Sequence, residues 1–216
     1  MSIKAIHETI AMAKAHEAKT GHLAKLLAEK IDQRVHLAIK LPQQNPEQSL
    51  LDFVSAYIEN VPSFLEAARA ITQQANIGQY AEPYFKVAEN FFLKPPEIVA
   101  GHIGLDELMD EAYLAHRLIE EVNDRFMVKA GIPLVPMDMT TSNLIIHSLI
   151  GEPFANELDE AVDYTVQKSM ANEHLYKSIE FITYAKKHKA DHWLDEREQW
   201  PCLTDNLAIG LQFGGT

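Results

Sequence analysis

The sequence predicts an all-α protein: a multi-helix bundle with about four long helices, shorter connecting helices and an irregular C-terminal tail packed on the body. Three observations carry this. Glycines and prolines punctuate the chain at helix-length intervals. Between them, apolar residues recur at spacings of three and four, which marks one face of a helix. No stretch alternates apolar and polar residues as a half-buried strand does. The chain has 216 residues and 47% apolar composition, which suits one domain with a sizeable core. Residues 1–190 are expected to form the bundle, with 191–216 as a tail docked on it.

The first segment runs from Ile3 to about Ile39. Ile3, Ile6, Ile10, Ala13, Glu17, Thr20, Ala24, Leu27 and Ile31 lie on one helical face. Gly21 is a natural stop residue, but the stripe keeps its phase across it, so one long, kinked helix is expected. Asn45-Pro46-Glu47-Gln48 reads as an N-cap, a first-turn proline and a capping-box partner. That helix should end near Asn60, and Pro62-Ser63 should start the next, ending before Gly78. A fourth helix, from about Pro83 to Leu93, carries Tyr84, Val87, Ala88, Phe91 and Phe92 on a face suited to core packing.

The longest clear pattern is Leu105–Ala130, closed by Gly131 and Pro133. Its apolar residues fill an arc of roughly 220°, wider than a surface helix needs. Glu111 falls inside that arc, and His116 and Asn123 fall near its edge. Asp110, Arg117, Glu121 and Asp124 point away and are expected in water. The loop Ile132–Met137 is apolar and lies over the body. Asp138 or Thr140 caps a short helix through Leu149. After Gly151 and Pro153 a long helix is expected from Phe154 to Lys187. Its apolar face comprises Phe154, Leu158, Ala161, Val162, Tyr176 and Ile179, and Thr165, Ser169 and Asn172 share that face. Trp193 and Trp200 lie in the tail, and rings of that size favour docking on the bundle.

Charge and composition exclude several function classes. The formal net charge is −12, so nucleic acid is not an expected partner. The largest basic run, Lys186-Lys187-His188-Lys189, suits a helix C-terminus. One cysteine, Cys202, permits no intrachain disulfide. No apolar run approaches the roughly 20 residues of a membrane span, and the N-terminus lacks a signal-like apolar region. The expected location is cytoplasmic.

No motif names a reaction. The chain has no phosphate-binding glycine loop, no GxSxG and no CxxC. It also lacks the Glu-x-x-His of ferritin-like di-iron bundles. Glu111 and His116 stand five apart, about 140° around the helix, so one pair cannot readily grip one ion. The expected function is therefore association, with the chain itself or with a protein partner, and the apolar loop Ile132–Met137 is one candidate interface. The alternative is a metal- or small-ligand-binding bundle, possibly an oxidoreductase. Its site would be an internal polar layer drawn from Glu17, Glu111, His116, His147 and Glu173. No cofactor is required by the sequence, and a divalent transition metal belongs to the alternative alone. His188 and His192 have helical spacing but too few companions for a metal centre.

Overall fold

The computed structural model describes residues 3–32, 39–99, 104–170, 177–187 and 209–211. Eight helices appear among them: α1 Ile3–Thr20, α2 His22–Asp32, α3 Pro46–Gln74, α4 Gly78–Leu93, α5 Leu105–Ala130, α6 Thr140–Ile150, α7 Phe154–Ser169 and α8 Ile179–Lys187. A 3₁₀ turn at Glu97–Val99 precedes α5. The all-α bundle expected from the sequence is therefore the architecture observed. Two two-residue strands, β1 Ile39–Lys40 and β2 Gly210–Leu211, pair antiparallel, and Ile209 beside them is buried. Among the described residues no helix is long and apolar enough to cross a membrane. The tail residues 191–208 and 212–216 lie outside the described residues.

The bundle is built around α5, which packs against α1, α2, α3, α4, α6 and α7. That surround explains the wide apolar arc in its sequence. It also corrects the expectation for the opposite face. Asp110 is only 2% exposed, because α2 covers it and places Lys30 near both Asp106 and Asp110. Arg117 and Glu121 are half-buried in ion pairs, and Asp124 is exposed as expected. A wheel shows which face is apolar but not how many neighbours the remainder will meet.

The expected single first helix is two. Gly21 adopts φ +58°, in the left-handed region that glycine enters at little cost. Its N–H still closes α1 on the Glu17 carbonyl at 2.7 Å. Beyond it α2 starts afresh, and Leu23 and Leu27 carry the buried stripe onward.

The opposite correction applies at Pro62, where one helix replaces two. Pro62 lies inside α3. Proline removes one helical hydrogen bond, but Phe53, Val54, Tyr57, Ile58, Val61, Leu65 and Ala68 are buried on both sides of it. Tertiary packing of that continuous face outweighs the local loss. At its start, Asn45 makes no side-chain cap, and Gln48 donates to Asp52 at 2.8 Å instead of closing a capping box. Likewise α4 begins at Gly78, with Pro83 inside it. Its aromatic face is core, as expected: Tyr84, Phe85, Phe91 and Phe92 are buried.

The expected long last helix ends at Ser169. Near this end Thr165 and Ser169 donate back to the carbonyls of Ala161 and Thr165 at 2.7 and 2.8 Å, a pattern that weakens a helix interior. Residues 171–176 lie outside the described residues, and Ile179, expected on the apolar face, starts α8 at 76% exposure.

Candidate functional site

The polar interior is assembled by α5 and its neighbours, and Glu17, Glu111, His116 and His147 each have a separate local setting. Glu17 is the cap of α2. Its two carboxylate oxygens accept the backbone N–H groups of Leu23 and Ala24 at 2.9 and 3.0 Å. These are among the N–H groups a helix start leaves unpaired, and a carboxylate there also complements the helix dipole. The turn at Gly21 makes this geometry possible.

His116 is fully buried, with Tyr57 and Phe64 ring centroids at 4.3 and 5.1 Å. Its Nε2 lies 3.4 Å from the Asn60 amide nitrogen. Its Nδ1 has no hydrogen-bond partner. Burial pushes its pKa down to about 3, with the backbone of Ala112 opposing the shift. At neutral pH the ring is uncharged, and the low-dielectric aromatic cage is the cause.

Glu111 is 3% exposed, and its Oε2 also lacks a partner. Burial, with Glu107 and Asp110 nearby, pushes its pKa up to about 9. Asp110 is raised to about 8, chiefly by burial and then by Asp106, with Lys30 opposing. The start of α5 thus buries Asp106, Asp110 and Glu111 within two turns. Lys30, half-buried, stands near Asp106 and Asp110, with Nζ 3.5 Å from the Ile150 carbonyl. Two of these carboxyls are protonated at neutral pH, which removes the charge that burial penalises.

His147 belongs to a different system, a chain of side-chain hydrogen bonds across four helices. Tyr57 on α3 donates to Asn143 Oδ1 on α6 at 2.6 Å. Asn143 donates to Glu120 Oε2 on α5 at 2.7 Å. Glu120 also pairs with Arg117 at 2.5 Å. Arg117 Nε and the Tyr113 hydroxyl both donate to Asp159 Oδ1 on α7, at 3.0 and 2.8 Å. His147 Nε2 lies 3.6 Å from Asp159 Oδ2 and 3.1 Å from Asn156 Oδ1. Burial alone would lower the Arg117 pKa, but Glu120 and Asp159 outweigh it and hold it above its usual value. Among the described residues, Glu111 Oε2 and His116 Nδ1 are the buried side-chain polar atoms left without a partner, so this network satisfies its buried members. A fully satisfied network fixes the mutual register of the helices it joins.

Glu173 lies outside the described residues, as do His188 and His192. Among the described residues, no three His, Cys, Asp or Glu side chains come together as a metal centre needs. The donor chemistry agrees: both Glu17 oxygens are taken by backbone N–H groups, and His116 is walled by rings. The sequence reading missed Tyr57, Tyr113, Glu120, Asn143 and Asp159. The available signal was Tyr113, Arg117 and Glu120 at helical spacing on one side of α5, opposite a helix carrying Asp159.

The loop Ile132–Met137 is not a free interface. Ile132, Leu134 and Val135 are buried. Asn123 clamps Val135 twice, donating to its carbonyl at 3.0 Å and accepting its N–H at 3.1 Å. The Tyr184 hydroxyl holds the Leu134 carbonyl at 2.9 Å. An apolar loop reads the same in sequence whether it covers its own core or a partner's. Comparison of the chain with protein families, curated proteins and solved structures finds no match.

Proposed function

We infer that the protein works by association, with a second copy of itself or with another protein. One observation carries this reading: large apolar side chains stand in water, with Val128 on α5 88% exposed, Ile179 on α8 76% and Tyr164 on α7 67%. Arg125, three residues before Val128, pairs with Asp163 beside Tyr164 at 2.5 Å. Scattered surface apolar residues need no explanation, but Ile182, 40% exposed, stands one turn from Ile179 on α8, and neighbouring exposed apolar side chains favour an interaction site. The test is molar mass by light scattering across a hundredfold range of concentration, with and without Val128→Asp. Association that the substitution weakens supports the reading. A chain that stays monomeric throughout removes self-association and leaves only a different partner.

Glu111 favours a second reading, a small polar ligand inside the bundle. A buried carboxyl with an unpartnered oxygen is costly unless something satisfies it. Protonated at neutral pH, it both donates and accepts. Native mass spectrometry of the purified protein tests this. A bound small molecule lost in Glu111→Gln supports it, and a bare chain contradicts it.

A further inference from the structure

The outward face of α7 carries Glu160, Tyr164 and Lys168 at equal intervals of four residues, all exposed. Four residues is slightly more than one turn, so the three side chains form one ridge along the helix. The order of charges follows the helix dipole, with acid toward the N-terminus and base toward the C-terminus. The dipole does not explain a tyrosine 67% exposed at the midpoint between them. Neither Glu160 nor Lys168 is ion-paired among the described residues. Asp163, the carboxylate next to Tyr164, is occupied by Arg125 and by Gln167 at 2.8 Å.

We propose that this ridge is a two-fold contact between two copies of the chain, with α7 packed antiparallel on its counterpart and Tyr164 on the symmetry axis. The proposal rests on the association reading above and names its surface. In an antiparallel pair centred on Tyr164, the residue four before the centre faces the residue four after it on the other copy. Glu160 of each chain then meets Lys168 of the other, giving two ion pairs from one pattern. An isologous contact requires a self-complementary surface of this kind. Tyrosine supplies a large contact area at low entropic cost, and it is enriched at the centres of interfaces. Two chains of net charge −12 repel at long range, so local complementarity must orient them.

Charge exchange tests this in the full chain. The variants are Glu160→Lys, Lys168→Glu and the two together, with dissociation measured by sedimentation equilibrium. Both sites are exposed, and circular dichroism checks that the fold is kept. Each single substitution places like charges opposite each other twice per dimer and is expected to weaken association about tenfold. The double substitution rebuilds both pairs in reverse and is expected to restore it. Association that neither single substitution weakens, or that the double fails to restore, overturns this surface while leaving self-association intact. A wild-type chain that never associates overturns both.

Discussion

The Tyr113 hydroxyl and the Arg117 guanidinium, one turn apart on α5, both donate to a single oxygen of Asp159 on α7, at 2.8 and 3.0 Å. Asp159 is therefore the acceptor that ties the two helices together. Asp159→Ala leaves a half-buried guanidinium and a phenol without that partner, and it removes the carboxylate facing His147. Loss of a charged acceptor from such a network costs about 2–3 kcal/mol. Chemical denaturation should show this loss with little change in helical content. Asp159→Asn, which keeps an acceptor oxygen, should lose less.

Glu17 and Gly21 act together at the α1–α2 break. Glu17→Ala removes both capping hydrogen bonds to α2 and should cost about 1–2 kcal/mol. A Cβ at Gly21 would meet no atom within 4 Å, so Gly21→Ala reports backbone conformation alone. Placing alanine at φ +58° should cost about 1 kcal/mol, with Gly21→Asn milder. Thermal unfolding measures all three.

The pH dependence of stability has opposite signs at the two ends. Glu111 and Asp110 titrate at about 9 and about 8 in the folded chain, above their ordinary values of 4.5 and 3.8. The folded state thus holds more protons than the unfolded state between those limits, and their contribution falls as pH rises. His116 titrates at about 3, below its ordinary 6.5. Here the unfolded state holds the extra proton, so stability falls as pH drops from 6.5 toward 3. Unfolding curves should show Glu111→Gln flattening the decline between pH 7 and 9 relative to wild type. His116→Phe should flatten part of the acid limb and leave the alkaline limb unchanged. Parallel wild-type and variant profiles would contradict these assignments.

The bundle was legible because helical periodicity is a local property. The apolar face of α4, the wide arc of α5 and the anomaly of Glu111 within it could all be read directly. Helix breaks were less legible. Gly21 stops a helix whose stripe continues in phase, while Pro62 fails to stop one, because packing on both sides decides. The site was hardest of all. Glu17 looked like a polar intrusion among apolar residues, yet it satisfies two backbone groups that only the turn at Gly21 brings within reach. Asp110 and Arg117 looked solvated because a wheel cannot count the helices that will cover α5. Asp159 carries no local mark of its role, which depends on α7 crossing α5 beside Tyr113.

The most direct measurement of the α7 contact is disulfide trapping between copies. Glu160→Cys and Lys168→Cys are made separately on a Cys202→Ser background, which removes the native cysteine, and the two proteins are mixed and mildly oxidised. In the antiparallel pair, position 160 of one copy faces position 168 of the other. Two copies of position 160 stand eight residues apart along the helix, about 12 Å, beyond disulfide reach. The mixed 160–168 product should dominate, with little of either symmetric product. Symmetric products as abundant as the mixed one, or no trapped dimer at all, would contradict the contact.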